Sequence, residues 1–121
     1  MKYILLAITF FFSLQLWAQA EEISEPLPPK FVFMEFGSTS CVPCIQMEKV
    51  LEQLRQEYPQ QIKVEFINVG KERKKMREYK IRIIPTQIIY DGEGEEILRH
   101  VGYFPFADII DFLEKQGLER N

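Results

Sequence analysis

The chain has 121 residues, of which 46% are apolar and 27% are charged, and its formal net charge is −3. This composition fits one globular domain and excludes collagen-like and intrinsically disordered proteins. The acidic balance argues against nucleic acid as a partner, because nucleic-acid recognition depends on positive surface charge.

The first twenty residues, 1–20, have the pattern of a secretory signal peptide. Lys2 supplies a positive start, a mainly apolar run extends over 4–16, and an A-x-A cleavage site ends at Ala20. An uncleaved membrane anchor is the alternative, although the run is shorter than the roughly 20 residues of a spanning helix. We therefore expect export to the periplasm or cell envelope after cleavage near Ala20, where disulfides are permitted.

The rest of the chain predicts alternating strands and helices. Residues 21–30 are charged and proline-rich and are expected to form an extended lead-in to a domain that covers 31–121. In chain order, the patterns predict a buried strand at 31–36, a helix at 42–57, a second, central strand at 61–69, a short surface helix within 71–80, a strand at 86–90, a strand at 95–101, and a closing helix that Gly117 caps. The basic run of the short helix is interpreted as a solvated face.

This order, β-α-β-α-β-β-α, predicts an α/β fold. Strands that are joined through helices pair in parallel, whereas the final hairpin is antiparallel. We therefore expect a mixed four-stranded sheet flanked by helices.

Both cysteines of the chain, Cys41 and Cys44, lie at the start of the first predicted helix. Unpaired N–H groups and the helix dipole favour negative charge there, so Cys41 should have a lowered pKa and act as the nucleophile. Cys44 shares the apolar stripe of the helix and should be shielded and react second. Pro43 fits the first helical turn and stiffens the loop between the sulfurs.

Two other interpretations of the cysteine pair remain open at this point. An inert disulfide would stabilise the fold little, because the effect grows with the length of the closed loop. A copper or zinc carrier would hold its metal through Cys41 and Cys44 of two molecules, since His100 is the only other soft ligand. We expect His100 to be a half-exposed strand residue, and we expect no metal and no cofactor besides the redox-active disulfide.

Three motifs in this order resemble the thioredoxin family: Cys41-Val-Pro-Cys44 after an apolar strand, Ile84-Pro85-Thr86 before a hairpin, and Val101-Gly102 before the last helix. The resemblance covers about residues 31–118. It implies a thioredoxin-like fold in which Pro85 is cis and faces the two sulfurs. It also implies a groove for the substrate chain, formed by Val42, Pro43, Ile84, Pro85, Gly102 and Tyr103.

Glu35 is the only carboxylate within the first apolar strand. Burial of a lone carboxylate is costly, and desolvation would raise its pKa. The resemblance places Glu35 where many thioredoxins have a buried aspartate that accepts the proton of the second cysteine. The alternative is a glutamate on an edge strand that reaches water.

The chain departs from the family pattern in three places. Ser40 replaces the usual tryptophan before the first cysteine, Val42 replaces the usual glycine, and Phe66 stands where a lysine often lies near the buried acid. The first strand and helix of full thioredoxins have no counterpart, so we expect a trimmed version of the fold.

The resemblance implies an exported, monomeric thiol–disulfide oxidoreductase that reduces protein disulfides and receives electrons from a membrane-embedded thiol reductase. The opposite direction, a disulfide-inserting oxidase, remains open. The direction depends on the reduction potential of the cysteine pair, and a difference of about 30 mV in that potential, or about 1.4 kcal/mol, is too small to be read from Val42-Pro43. A third interpretation is an interaction module with an exposed aromatic patch of Tyr103, Phe104 and Phe106.

Overall fold

The computed structural model describes residues 26–120. Seven elements follow one another in this range: β1 (Phe31–Gly37), α1 (Val42–Glu57), β2 (Ile62–Asn68), α2 (Arg73–Glu78), β3 (Thr86–Asp91), β4 (Glu96–Val101) and α3 (Phe106–Lys115). The predicted order is confirmed. The predicted signal peptide, 1–20, lies outside the described residues, and 26–30 precede β1 without helix or strand.

The four strands form one mixed sheet in the order β2-β1-β3-β4. β1 pairs in parallel with β2 and antiparallel with β3, and β3 pairs antiparallel with β4. The prediction that the second strand is central is therefore wrong, since β2 is an edge strand and β1 is central. The crossover through α1 places β2 on one side of β1, and the β3-β4 hairpin occupies the other side.

Helices cover both faces of the sheet. α1 and α3 pack on one face, over a core that includes Phe33, Leu54 and Leu113. α2 lies on the other face, where Met76 and Tyr79 pack against a smaller core around Phe36 and Ile88. β1 is therefore covered by helices on both faces of the sheet, which explains why its residues form a dense apolar run.

The predicted helix boundaries follow local signals. α1 buries residues at steps of three and four and ends at Glu57, just before Tyr58 and Pro59. Gly117 follows α3 with a φ of 103°, and Leu118 N donates to Leu113 O at 2.9 Å. This is the left-handed glycine cap that the sequence predicted.

The register of the sheet brings the three sequence motifs to one edge. Phe36, near the end of β1, pairs with Thr86 at the start of β3, and Thr86 pairs with Val101 at the end of β4. The loop that leads to Cys41, the loop before Thr86 and the loop after Val101 therefore start from the same end of three adjacent strands.

Candidate active site

Cys41 and Cys44 are joined by a disulfide at the start of α1, with their Cα atoms 5.2 Å apart. Cys41 is the N-cap residue and has extended backbone angles, and the backbone N–H of Cys44 donates to Cys41 Sγ at 3.4 Å. Pro43 lies in the first turn, where its missing N–H leaves no intrahelical bond unmade. The helix start therefore directs an N–H group at one sulfur of the pair.

The two sulfurs differ in exposure. Cys41 is partly exposed, whereas Cys44 is 5% exposed and belongs to the buried stripe of α1. The predicted shielding of Cys44 is confirmed.

Gly37 allows the close packing around Cys44. A Cβ atom at Gly37 would lie 3.2 Å from Phe66 Cε2 and 3.3 Å from Cys44 Sγ. A side chain at this position would therefore require the sulfur or the ring to shift by a few tenths of an ångström. A cavity of about 220 Å³ opens beside them and is lined by residues that include Cys44, Leu51 and Phe66.

The loop before β3 lies at the same edge of the sheet. The Ile84–Pro85 peptide bond is cis, the isomer that the family resemblance implies. Gly102 N donates to Pro85 O at 2.8 Å, and Thr86 Oγ1 donates to Ile83 O at 2.6 Å. These bonds hold the loop before β3 against the loop after β4.

Glu35 is fully buried in the central strand β1, with 0% of its surface exposed. The alternative of an edge-strand glutamate that reaches water is therefore wrong. Neither carboxyl oxygen has a hydrogen-bond partner among the described residues. Desolvation by burial raises the pKa of Glu35 to about 8, and the side chain of Gln87, its partner across the sheet, opposes this rise only in part.

Glu35 lies on the face of β1 that α1 covers, as does Gly37. Side chains two residues apart on one strand face are separated by about 7 Å. Cys44 packs against Gly37, so Glu35 lies about 7 Å along β1 from the residue that the buried sulfur contacts, on the same face.

Gln87 and His100 form a polar pair that the sequence did not predict. Gln87 is fully buried, its Nε2 donates to Gly102 O at 3.1 Å, and its Oε1 lies 2.8 Å from His100 Nδ1. Since Oε1 only accepts, Nδ1 of His100 carries a hydrogen. The imidazole also stacks on Phe104, with ring centroids 4.2 Å apart.

This pair links the environment of Glu35 to the loop after β4. His100 is partly buried in β4, as expected. The signal that could have revealed the pair is Gln87, a polar residue inside the apolar strand that follows Pro85.

Each of the three segments that carry the motifs has an exposed apolar side chain. Val42 and Ile45 project from the first turns of α1, Ile83 precedes the cis-proline loop, and Tyr103 follows Gly102. Ile84 is half-buried and packs on the core beneath α2, whereas Ile83 is 62% exposed. The exposed apolar side chain of this loop is therefore Ile83, and the motif Ile84-Pro85-Thr86 does not include it.

The third interpretation, an exposed aromatic patch of Tyr103, Phe104 and Phe106, is wrong. Phe104 is buried, and Phe106 packs against the core beneath α1 and α3. Only Tyr103, at 46%, is substantially exposed, because the chain turns inward after it to begin α3.

The described range contains neither a metal-binding cluster nor a membrane-spanning helix. No group of three or more His, Cys, Asp or Glu side chains within residues 26–120 could hold a metal ion. None of the helices in that range is long and apolar enough to cross a membrane.

The sequence was compared with known families and proteins. Residues 18–117 match the family model described as a thioredoxin-like domain. The chain is 32% identical to thioredoxin 1 of Nostoc sp. over 84 residues, which cover 69% of this chain and 78% of that protein. It is 33% identical to the thioredoxin of Buchnera aphidicola over 85 residues, which cover 70% of this chain and 78% of that protein. The chain belongs to the thioredoxin family.

Solved structures agree with this assignment. Chloroplastic thioredoxin z superposes with a TM-score of 0.65 at 27% identity, covering 71% of this chain and 77% of that one. A mutant thioredoxin from Halobacterium salinarum superposes with a TM-score of 0.67 at 24% identity, covering 77% of this chain and 80% of that one. The protein is thus a thioredoxin-like protein with a Cys41–Cys44 disulfide, which is consistent with thiol–disulfide oxidoreductase chemistry.

Proposed function

We propose that this thioredoxin-family protein is an exported oxidoreductase that reduces disulfides in other proteins through Cys41 and Cys44. The observation that carries the proposal is the unequal placement of the two sulfurs: Cys41 is accessible at a helix start, and Cys44 is buried behind it. Such an arrangement separates an attacking sulfur from a resolving one.

The reaction would proceed in two exchanges. The Cys41 thiolate attacks one sulfur of the substrate disulfide, a mixed disulfide forms, and the other substrate sulfur leaves as a thiolate that takes up a proton. Cys44 then gives up its proton and attacks Cys41 Sγ, which releases the second substrate sulfur and forms the Cys41–Cys44 disulfide. The substrate gains two electrons and the dithiol loses two.

In the minority of molecules whose Glu35 is ionised at neutral pH, this carboxylate would accept the proton of Cys44 in the second exchange. A pKa of about 8 is close to that of an unperturbed thiol, which makes proton transfer nearly balanced. Its position on the same face of β1 as Gly37, which Cys44 contacts, and its lack of a hydrogen-bond partner among the described residues support this role.

The substrate chain would bind beside the cis peptide bond. Its residues would contact a groove formed by Val42, Pro43, Ile84, Pro85, Gly102 and Tyr103, with the exposed Ile83 at its margin. An apolar surface of this kind can bind many sequences, because the hydrophobic contribution to binding depends on the apolar area that is buried and not on the orientation of the contacting groups.

The proposed setting is the periplasm or cell envelope, where a membrane-embedded thiol reductase would return two electrons to a monomeric protein. The pattern of residues 1–20 supports export. No cofactor besides the disulfide is needed for the reaction as written.

Reduction of insulin disulfides in the presence of a thiol donor tests the proposal. We expect the protein with both cysteines to accelerate reduction, Cys41→Ser to abolish the effect, and Cys44→Ser to accumulate a mixed disulfide with the substrate. Acceleration that persists in Cys41→Ser would contradict the assigned nucleophile. A reduction potential near the −270 mV typical of thioredoxin supports the reductase direction, and one near about −120 mV would reverse it.

A further inference from the structure

Positive charge is concentrated in one stretch of this acidic protein. Residues 71–82 contain seven Lys and Arg against two Glu, whereas the rest of the chain contains eight Lys and Arg against sixteen Asp and Glu. The stretch includes α2 and leads directly into the cis-proline loop. The basic surface therefore begins beside the redox site, on the face of the sheet opposite α1.

Much of this charge is not neutralised within the described residues. Lys75 pairs with Glu72 at 2.7 Å, and Lys74 pairs with Glu78 at 3.7 Å. The other five cations are exposed and take part in no ion pair in the described range: Lys71, Arg73, Arg77, Lys80 and Arg82.

A small cleft lies between the basic stretch and the cis-proline loop. It has a volume of about 120 Å³, and its lining includes Lys80, Arg82 and Arg99 together with the exposed apolar side chains of Ile83 and Val101. Thr86, the residue after Pro85, also lines it. We call this site the basic cleft.

Two of the three cations that line the basic cleft, Lys80 and Arg82, are not paired with an anion within the described residues. Arg99 is engaged by Glu96 and by Tyr79 O. Lys80 and Arg82 have no such partner within the described residues, so they remain available to an anion at the mouth of the cleft.

We propose that the basic cleft binds an acidic side chain, Asp or Glu, that lies close in sequence to the disulfide of a protein substrate. This inference rests on the proposed function and adds a substrate preference to it. A chain that binds beside Pro85 passes the cleft, because Ile83, at the margin of the proposed groove, and Thr86, the residue after Pro85, both line the cleft. The charge of the cleft attracts the carboxylate, while its apolar walls contact the adjacent aliphatic atoms.

The shape of the site favours a peptide over an anionic lipid surface as the partner. The cleft is concave, has room for a side chain, and lies beside the cis-proline loop, where the substrate chain is proposed to bind. A bilayer surface would instead contact the protruding cations of α2, which do not line the cleft.

The test uses two peptides with the same intramolecular disulfide, one flanked by Glu and the other by Gln at the same positions. With the reduced full-length protein, we expect kcat/KM for the Glu peptide to exceed that for the Gln peptide by about fivefold or more at low salt. The ratio should approach one as salt rises from about 0.02 M to about 0.5 M, because the charges are then screened.

Arg82→Glu should reverse the preference, and Arg82→Gln should reduce it, without slowing reduction of the Gln peptide by more than about twofold. Lys115→Glu is the matched control, since it makes the same charge change at an exposed residue of α3 on the other face of the sheet. A Glu-to-Gln ratio in Arg82→Glu equal to that of the unsubstituted protein overturns the proposal.

A binding measurement separates this proposal from the proposed function. The affinity of the alkylated, cysteine-blocked Glu and Gln peptides can be measured by fluorescence anisotropy, which needs no redox chemistry. If neither peptide disulfide is reduced, the proposed function fails, and equal affinity for the two blocked peptides then overturns the cleft as well. Loss of binding to phosphatidylglycerol vesicles in Arg82→Glu, with peptide affinity unchanged, assigns the surface to a membrane and also overturns it.

Discussion

At the scale of single residues, Glu35 keeps its proton at a pH at which a solvent-exposed glutamate is ionised. Burial without hydrogen-bond partners among the described residues raises its pKa from an ordinary value of 4.5 to about 8. The carboxyl group is therefore neutral at neutral pH in the disulfide form. The cost of ionising it couples the stability of the fold to pH.

Glu35→Gln should remove this coupling. Between about pH 4.5 and about pH 8, folded protein holds a proton that unfolded protein releases, so the free energy of unfolding should fall as pH rises through this window. The full loss is on the order of 5 kcal/mol, is absent below the window and is complete above it. Urea unfolding of the oxidised protein at a series of pH values should show this slope, and Glu35→Gln should lack it.

Glu93→Gln is the control for this prediction, because Glu93 is exposed in the turn between β3 and β4. It should keep the slope of the unsubstituted protein, and a Glu35→Gln variant that also keeps the slope would contradict the raised pKa of Glu35.

Glu35→Gln also tests the proposed mechanism. An unchanged rate at which Cys44 resolves a mixed disulfide near neutral pH removes Glu35 from the proton transfer.

At the scale of elements, the site depends on how closely β1, β2 and α1 approach one another. Gly37 of β1 lies between Phe66 of β2 and Cys44 of α1. The position of Phe66 across from Glu35 also explains why no lysine compensates the buried acid from this strand. The packing of these three elements therefore sets both the shielding of the sulfur and the environment of the carboxyl group.

Gly37→Ala should loosen this arrangement. The added Cβ would lie 3.2 Å from the Phe66 ring and 3.3 Å from Cys44 Sγ, so the ring or the helix must move. We expect a loss of about 1–3 kcal/mol in the free energy of unfolding, as for other overpacked cores. Thermal or urea unfolding of the oxidised variant measures this loss.

Gly92→Ala is the matched control, because a Cβ there would meet its nearest atom, Lys30 O, at 3.5 Å, an ordinary contact. Alkylation of reduced Gly37→Ala provides a second measurement. Faster modification of Cys44 is expected if the ring moves away. Equal stability of the two alanine variants would show that Gly37 is not needed for the close approach.

At the scale of the whole molecule, a few side chains join segments that are distant in sequence. Gln61, just before β2, donates from Nε2 to Glu119 O at 2.8 Å and accepts at Oε1 from Glu119 N at 2.9 Å. Lys30, just before β1, pairs with the carboxylate of Glu119 at 2.8 Å. The segment after α3 is thereby attached to the starts of two neighbouring strands.

Gln61→Ala should detach this segment. Two hydrogen bonds to backbone groups are lost at a partly exposed site, which should lower the free energy of unfolding by about 1–2 kcal/mol. For a domain of this size, the melting temperature should fall by about 4–16 °C. Gln60→Ala, at an exposed neighbouring position, should melt close to the unsubstituted protein, and an identical effect of both substitutions would contradict the role of the Glu119 contacts.

The amino-acid sequence by itself determined the order of the elements, the bounds of α1 and the unequal burial of the two cysteines. These features depend on local periodicity: the spacing that builds α1 also places Cys44 on its buried stripe. For Glu35 the sequence left two alternatives open, burial or a place on an edge strand, and the central position of β1 decided for burial.

Only the tertiary structure decided which strand is central, that Ile83 rather than Ile84 is exposed beside Pro85, and that Gln87 and His100 pair beside the buried acid. Each of these features depends on which strands are neighbours and on their register. Strand pairing joins residues that are far apart in the chain, so no local pattern specifies it. The position of the basic cleft next to the redox site has the same origin, since β4 brings Arg99 and Val101 to the loop that carries Arg82.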